Sequence, residues 1–84
     1  MNYAKDIREF VVTNFLFGEA GNLTDDTSFL DSGIIDSTGM LELIMFLDNA
    51  FGVRVEPEEM VPENLDSINR LVQYLSKKAG KPAA

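Results

Sequence analysis

The sequence contains no cysteine and no histidine among its 84 residues. Without cysteine the chain has no disulfide, no thiolate nucleophile and no cysteine-based metal site. Without histidine it lacks imidazole ligands and the commonest general base. These absences remove most templates for an enzyme active site, and we expect neither catalytic residues nor a metal site in this chain.

Basic residues and long apolar runs are also scarce. Seven Lys and Arg residues stand against fourteen Asp and Glu residues, which gives a net charge of -7. This charge repels nucleic acid and anionic membranes and favours partner proteins with basic patches. No stretch approaches about 18 apolar residues, the minimum for a membrane span, and Asp6 lies where a signal peptide needs an apolar core. We therefore expect a cytoplasmic monomer that binds no nucleic acid and does not insert into membranes.

Apolar residues make up 45 % of the chain, and six Phe residues supply much of the area that a small core needs. The length favours a single domain over residues 1–84, ordered from about residue 2 to 79, with a flexible tail at 80–84. The apolar spacing predicts three longer helices, over 2–15, over 37–51 and after a cap at Asp66. Short helical turns are expected between Pro57 and Leu65. The predicted fold class is all-α, a small four-helix bundle with a short third helix.

A long connection, residues 18–36, separates the first two predicted helices. Its glycine, Asn and Asp residues are typical of turns, but its five large apolar residues predict an ordered loop with one helical turn near 27–30. Asp25, Asp26 and Asp31 cluster in this loop. A calcium loop beginning at Asp26 would lack the glycine at its sixth position and the final glutamate, so we expect no calcium site.

Asp36 and Ser37 stand where this loop meets the second predicted helix. Asp and Ser are both favoured N-cap residues, and a cap of this kind stabilises a helix by about 1 kcal/mol. The same position would also favour a phosphate ester on Ser37, because the first turn of a helix offers unpaired N–H groups and the positive end of the helix dipole. Hydrolytic chemistry at Ser37 is disfavoured, because without histidine only Lys or a carboxylate could act as the base, and the sequence around Ser37 is acidic and apolar rather than basic.

The segment Asp31-Ser32-Gly33-Ile34-Ile35-Asp36-Ser37-Thr38-Gly39-Met40-Leu41-Glu42-Leu43 closely resembles the attachment segment of acyl carrier proteins. The resemblance extends through Phe51-Gly52-Val53 and through 62–68, and it covers nearly the whole chain from Tyr3 to Lys78. It implies a four-helix bundle of the acyl-carrier type. It also implies that Ser37 accepts 4'-phosphopantetheine from coenzyme A, with the assistance of Asp36, and that the thiol of this arm carries cargo as a thioester.

The resemblance further implies a docking surface on the second helix, facing a phosphopantetheinyl transferase, an acyl or aminoacyl ligase and acyl-processing enzymes with basic patches. Its expected residues are Thr38, Leu41, Glu42, Met45 and Asp48. Met40, Ile44 and Ile68 are the residues expected to line an acyl pocket between the helices. Thr38 stands where fatty-acid synthesis carriers usually have Leu, which favours a specialised pathway.

Two alternatives to an acyl carrier follow from the same residues. The first is an aminoacyl or peptidyl carrier, because the attachment segment looks like that of carriers dedicated to special pathways. The second is a small acidic interaction protein in which Ser37 only caps a helix. In that protein the surplus apolar residues of the second helix, Leu41, Met45 and Phe46, would bind a partner; they could equally be packed by the long loop.

Overall fold

The computed structural model describes residues 3–18, 21 and 23–79, and every regular element in these ranges is helical. The elements, in chain order, are α1 Tyr3–Phe15, α2 Phe29–Ser32, α3 Ser37–Phe51, a 3₁₀ turn Pro57–Glu59, α4 Pro62–Leu65 and α5 Ile68–Ala79. The predicted fold class is confirmed, with α4 as the short third helix of the bundle and α2 as a single turn within the long loop. Residue 2 and the predicted tail at 80–84 lie outside the described residues.

Turn chemistry sets the ends of these helices. Gly52 takes a left-handed conformation, with φ of 68°, and its N–H donates to the Asp48 carbonyl at 2.9 Å, which ends α3 where the sequence predicted. The 3₁₀ turn and α4 each begin at a proline. None of the helices in the described ranges is long and apolar enough to cross a membrane.

The core lies where α5 packs against α1 and α4 and where α3 turns its inner side toward them. Its largest fully buried side chains belong to all of the α-helices and to the long loop: Ile7, Val11, Phe29, Ile35, Leu43, Leu47, Leu65, Ile68, Leu71 and Leu75. The long loop is therefore packed against the bundle, as its apolar residues predicted.

Acidic side chains hold the first half of the long loop to the helices. Arg8 of α1 forms an ion pair with Asp25 and also donates to the Leu23 carbonyl at 3.3 Å. Asn69 of α5 donates from its side chain to Asp26 at 2.6 Å and from its backbone to the Asp25 carbonyl at 2.9 Å. Two of the three clustered aspartates thus act as tethers, and no metal-binding group of acidic residues occurs in the part of the chain that the structure describes.

Asp66 holds the second half of the loop, and the prediction that it caps the last helix is wrong. Its carboxylate accepts from the Leu30 N–H at 2.9 Å and from the Ser28 hydroxyl, and its carbonyl accepts from the Phe29 N–H at 2.8 Å. Ser67 takes the capping role instead, accepting from the Arg70 N–H at 3.1 Å. The exposed N–H groups at the start of α2 need acceptors, and Asp66 supplies them from the α4–α5 junction.

Candidate functional site

Ser37 is the first residue of α3, and its side chain is exposed. The helix is capped by the preceding residue: Asp36 has extended backbone geometry, and its Oδ1 accepts from the Gly39 N–H at 2.7 Å. Within the described part of the chain the Ser37 hydroxyl makes no hydrogen bond. Of the two residues that the sequence offered as caps, Asp36 does the capping, and the Ser37 hydroxyl stays available at the surface.

Gly39 brings the end of α1 against the first turn of α3. A Cβ atom at Gly39 would lie 2.7 Å from Phe15 Cε1 and 3.1 Å from Ile35 Cγ2, both closer than ordinary van der Waals contact. Glycine is therefore required here by close packing rather than by its backbone angles. This contact fixes the direction in which the first turn of α3, and with it Ser37, leaves the bundle.

An apolar cavity of about 210 Å³ opens beside Ser37. One side of α3 lines it, together with residues of α2, of α4 and of the segment just before α4. The lining residues are Leu30, Ser37, Met40, Leu41, Ile44, Met60, Val61, Pro62 and Leu65. No charged side chain is among them. For comparison, a dry engineered cavity of about 150 Å³ accommodates benzene. The cavity is therefore large enough for a short apolar chain that begins near the Ser37 hydroxyl.

The three residues expected to line an acyl pocket have different positions. Met40 and Ile44 line the cavity, one and two turns along α3 from Ser37. Ile68 is fully buried in the core at the start of α5 and does not reach the cavity. The outer wall is instead formed by Met60 and Val61, which the sequence analysis missed because they lie in an irregular segment without periodicity.

A hydrogen-bonded cluster surrounds Glu59, the residue that precedes Met60 in the chain. Glu59 Oε1 accepts from the Lys78 ammonium at 2.8 Å, from the Tyr74 hydroxyl at 2.9 Å and from the Glu56 N–H at 3.0 Å. Lys78, followed by the backbone N–H of Glu56, lowers the pKa of Glu59 from 4.5 to about 2. Burial raises the pKa of the Tyr74 phenol, and its hydrogen bond to the Glu59 carboxylate acts in the same direction. The 3₁₀ turn before the cavity wall is thereby tied to α5.

The residues expected to dock partners all lie exposed on α3: Thr38, Leu41, Glu42, Met45 and Asp48. Leu41 and Met45 are 56 % and 62 % exposed, so the long loop does not cover them. Phe46, the third surplus apolar residue, differs from these two because its ring stacks on Phe10 of α1, with centroids 4.2 Å apart. The outer surface of α3 thus combines two flexible apolar side chains with acids.

Comparisons with known proteins agree with this geometry. A family model described as the phosphopantetheine attachment site matches residues 16–75. The D-alanyl carrier protein of Streptococcus uberis is 32 % identical over 69 residues, which is 80 % of this chain and 87 % of that protein. The acyl carrier protein of Solidesulfovibrio magneticus is 27 % identical over 81 residues, 96 % of this chain and 100 % of the relative.

A solved structure also resembles the fold. One chain in a crystal structure of an FAD-dependent dehydrogenase superposes with a TM-score of 0.74 at 29 % sequence identity, covering 82 % of this chain and 97 % of that one. The matched chain is therefore a small domain of similar size.

Proposed function

Because the chain belongs to the phosphopantetheine attachment-site family, we propose that Ser37 is the residue that bears the prosthetic group. The protein is a phosphopantetheine carrier, and its cofactor is covalently attached 4'-phosphopantetheine. The observation that supports Ser37 is its exposed hydroxyl, left without a hydrogen bond in the described residues because Asp36 caps the helix. The thiol of the arm supplies the thioester chemistry that this cysteine-free chain lacks.

The first turn of α3 suits the phosphodiester that would join the arm to Ser37. The Met40 N–H is bonded to the Asp36 carbonyl and the Gly39 N–H to the Asp36 carboxylate. The N–H groups of Ser37 and Thr38 make no hydrogen bond with any described residue, so they remain available to phosphate oxygens. These donors and the positive end of the helix dipole stabilise a negative group attached at Ser37. In this proposal Asp36 orients the turn and assists attachment.

For the cargo, we propose an apolar acyl group that lies in the cavity beside Ser37. The uncharged lining from Met40 and Ile44 to Met60 and Val61 supports this choice, since apolar surface removed from water stabilises by roughly 25 cal/mol per Å². The similarity to D-alanyl carrier proteins supports an aminoacyl cargo as the second candidate. A free ammonium would gain nothing from that lining, so an aminoacyl cargo would remain in solvent.

Partner enzymes carry out the chemistry, as is general for carrier proteins. We propose that Thr38, Leu41, Glu42, Met45 and Asp48 dock a phosphopantetheinyl transferase, an acyl or aminoacyl ligase and acyl-processing enzymes in the cytoplasm, through basic patches on those enzymes. The charge of -7 would steer such encounters and raise their rates more than their affinities. A pure interaction protein with Ser37 as a cap is disfavoured, because Asp36 already caps α3.

Attachment is tested by incubating the protein with coenzyme A and a broad-specificity phosphopantetheinyl transferase and locating the modified peptide by mass spectrometry. Ser32 is a matched control, since it is an exposed serine five residues earlier in the same segment. We expect modification of the wild type and of Ser32→Ala at Ser37, and none of Ser37→Ala. Modification of Ser37→Ala, or of Ser32 in the wild type, would overturn the assignment.

A further inference from the structure

A groove lies between α3 and α1. It is on the other side of the exposed α3 surface from the cavity beside Ser37. Two adjoining cavities of about 370 Å³ each form it, and they share Phe10, Asn14 and Phe46. The remaining lining residues come from the same two helices: Asp6, Glu9, Thr13, Glu42, Met45, Asn49, Ala50 and Phe51. The attachment chemistry at Ser37 uses none of the α1 residues.

Five aromatic rings of α1 and α3 pack in a row, and three of them, Phe10, Phe46 and Phe51, line the groove. Phe10 and Phe46 stack at its centre, with centroids 4.2 Å apart and an interplanar angle of 15°. Phe51 packs edge-on against Phe46 at 5.7 Å and against Tyr3 at 5.1 Å, and Phe15 packs edge-on against Phe10 at 5.9 Å. The rings of Phe10, Phe46 and Phe51 are only partly buried, so the groove has accessible aromatic surface.

Every charged side chain that lines the groove is acidic. Asp6 and Glu9 border it on α1, and Glu42 borders it on α3. The guanidinium of Arg8 does not neutralise them, because it is paired with Asp25 and the Leu23 carbonyl at the long loop. The groove therefore combines ring surfaces with a negative rim, and both attract a cation.

We propose that this groove binds an arginine side chain of a partner enzyme. A guanidinium stacks on aromatic rings and bonds carboxylates in a bidentate manner, whereas a lysine ammonium is more strongly hydrated and does neither as well. A second copy of this chain is a poor occupant, since each copy carries a charge of -7. The inference rests on the proposed function for the kind of partner, and it extends the docking surface from Glu42 and Met45 across to α1.

The test uses three short amphipathic helical peptides of Ala and Leu that carry either Arg, Lys or Gln at the same polar positions. Binding is followed by amide chemical shifts of the ¹⁵N-labelled protein, before and after treatment with the transferase and coenzyme A. We expect the Arg peptide to bind more tightly than the Lys peptide and the Gln peptide not to bind, with shifts concentrated at α1 and at 42–50. Equal binding of the Arg and Lys peptides, or shifts confined to other surfaces, would overturn the proposal.

Matched variants separate this groove from general electrostatic attraction. Phe10→Leu and Glu9→Gln should each lower the affinity for the Arg peptide about two- to fivefold, as expected for the loss of one cation–π contact or one exposed ion contact. Glu58→Gln removes the same charge from an exposed residue outside the groove and should change the affinity less than either. An equal effect of Glu58→Gln would contradict the proposal, and circular dichroism confirms that Phe10→Leu is folded.

The same samples distinguish this inference from the proposed function. Transferase loading at Ser37 is measured on each variant, and we expect it to proceed in all of them. Normal loading without any preference for the Arg peptide would refute the groove alone. Failure of wild-type loading with a preserved Arg preference would refute the assignment of Ser37 alone. Dimers detected by sedimentation, with or without the peptide, would show that a second copy of the chain occupies the groove. That result would refute the proposal.

Discussion

The two sides of α3 differ in the chemistry of their neighbours. On one side, α2 and the segment from Met60 to Leu65 contribute only uncharged side chains, and the cavity beside Ser37 is apolar. On the other side, α1 contributes aromatic rings and two acids, and the groove is negative. One helix thus separates a surface suited to an apolar chain from a surface suited to a cation.

The separation depends on the strip of α3 that faces the core. Gly39, Leu43 and Leu47 are buried there at intervals of four residues. Leu41, Met45 and Asp48 form an exposed ridge, in which Leu41 borders the cavity and Met45 borders the groove. Residues on α3 can therefore be changed on one side with little consequence for the other, and this independence makes the comparison testable.

The largest effect on stability is expected at Gly39, on the strip of α3 that faces the core. Gly39→Val would place side-chain atoms within the space of Phe15 and Ile35, and we expect a loss of about 2 kcal/mol in the free energy of unfolding, measured by urea denaturation. Thr38→Val places the same side chain one residue earlier, where it only replaces an exposed hydroxyl by a methyl, and should stay within about 0.5 kcal/mol of the wild type. Similar losses in the two variants would show that Gly39 is not closely packed.

A smaller loss of stability distinguishes the capping residue Asp36 from Ser37, the proposed attachment residue. Asp36→Ala removes the acceptor of the Gly39 N–H and should cost about 1 kcal/mol in the same assay. Ser37→Ala should change stability by less than about 0.5 kcal/mol, because its hydroxyl makes no hydrogen bond with the described residues. The reverse order would return Ser37 to the role of a cap.

Adding an acid should have different effects on the two sides of α3, because the cavity is apolar and the groove is already acidic. Ile44→Asp places a charge in the apolar cavity. An acyl chain on the arm is expected to shift the Met40 methyl resonance, and we expect this substitution to abolish that shift. Asn49→Asp adds a fourth acid to the groove. It should leave that shift unchanged and raise the affinity for the Arg peptide about twofold. Loss of the acyl shift in Asn49→Asp would mean that the two sides are not independent.

The smallest effect concerns the outer wall of the cavity. Because Lys78 and the Glu56 N–H lower the pKa of Glu59 to about 2, the ionised form stabilises the folded protein above the ordinary pKa of 4.5. This contribution is lost as the pH falls through about 2. Over that window the stability of the wild type should fall more steeply than that of Glu59→Gln. Parallel pH profiles would show that the cluster around Glu59 does not hold the wall.

Local patterns predicted much of this fold. The spacing of apolar residues on α3, with Gly52 after it, fixed the helix over 37–51, and the loop–helix junction placed Ser37 at its first turn. The turn expected near 27–30 lies two residues later, at Phe29–Ser32, because Ser28 accepts from the Asp31 N–H and is therefore the N-cap of this turn. The residues of α3 that are proposed to dock partners are exposed because a different strip of the helix faces the core.

Contacts between distant residues were not predictable in the same way. The Asp66 carboxylate bonds Leu30, which precedes it by 36 residues, and nothing in the local sequence distinguishes that role from an ordinary cap. Ile68 shares the apolar character of Met40 and Ile44, but α5 turns it into the core. Glu42 was predicted as a docking residue, but its position in one groove with Asp6 and Glu9 depends on the packing of α1 beside α3.

The most direct test of the account compares the ¹³C-methyl spectra of the holo protein and of the same protein carrying an octanoyl thioester on its arm. We predict that the methyl resonances of Met40, Ile44 and Leu65 shift, while Met45 on the ridge and Thr13 in the aromatic groove do not. Shifts centred on the groove, or no shift at any cavity residue, would contradict the assignment of the apolar side of α3 to the cargo.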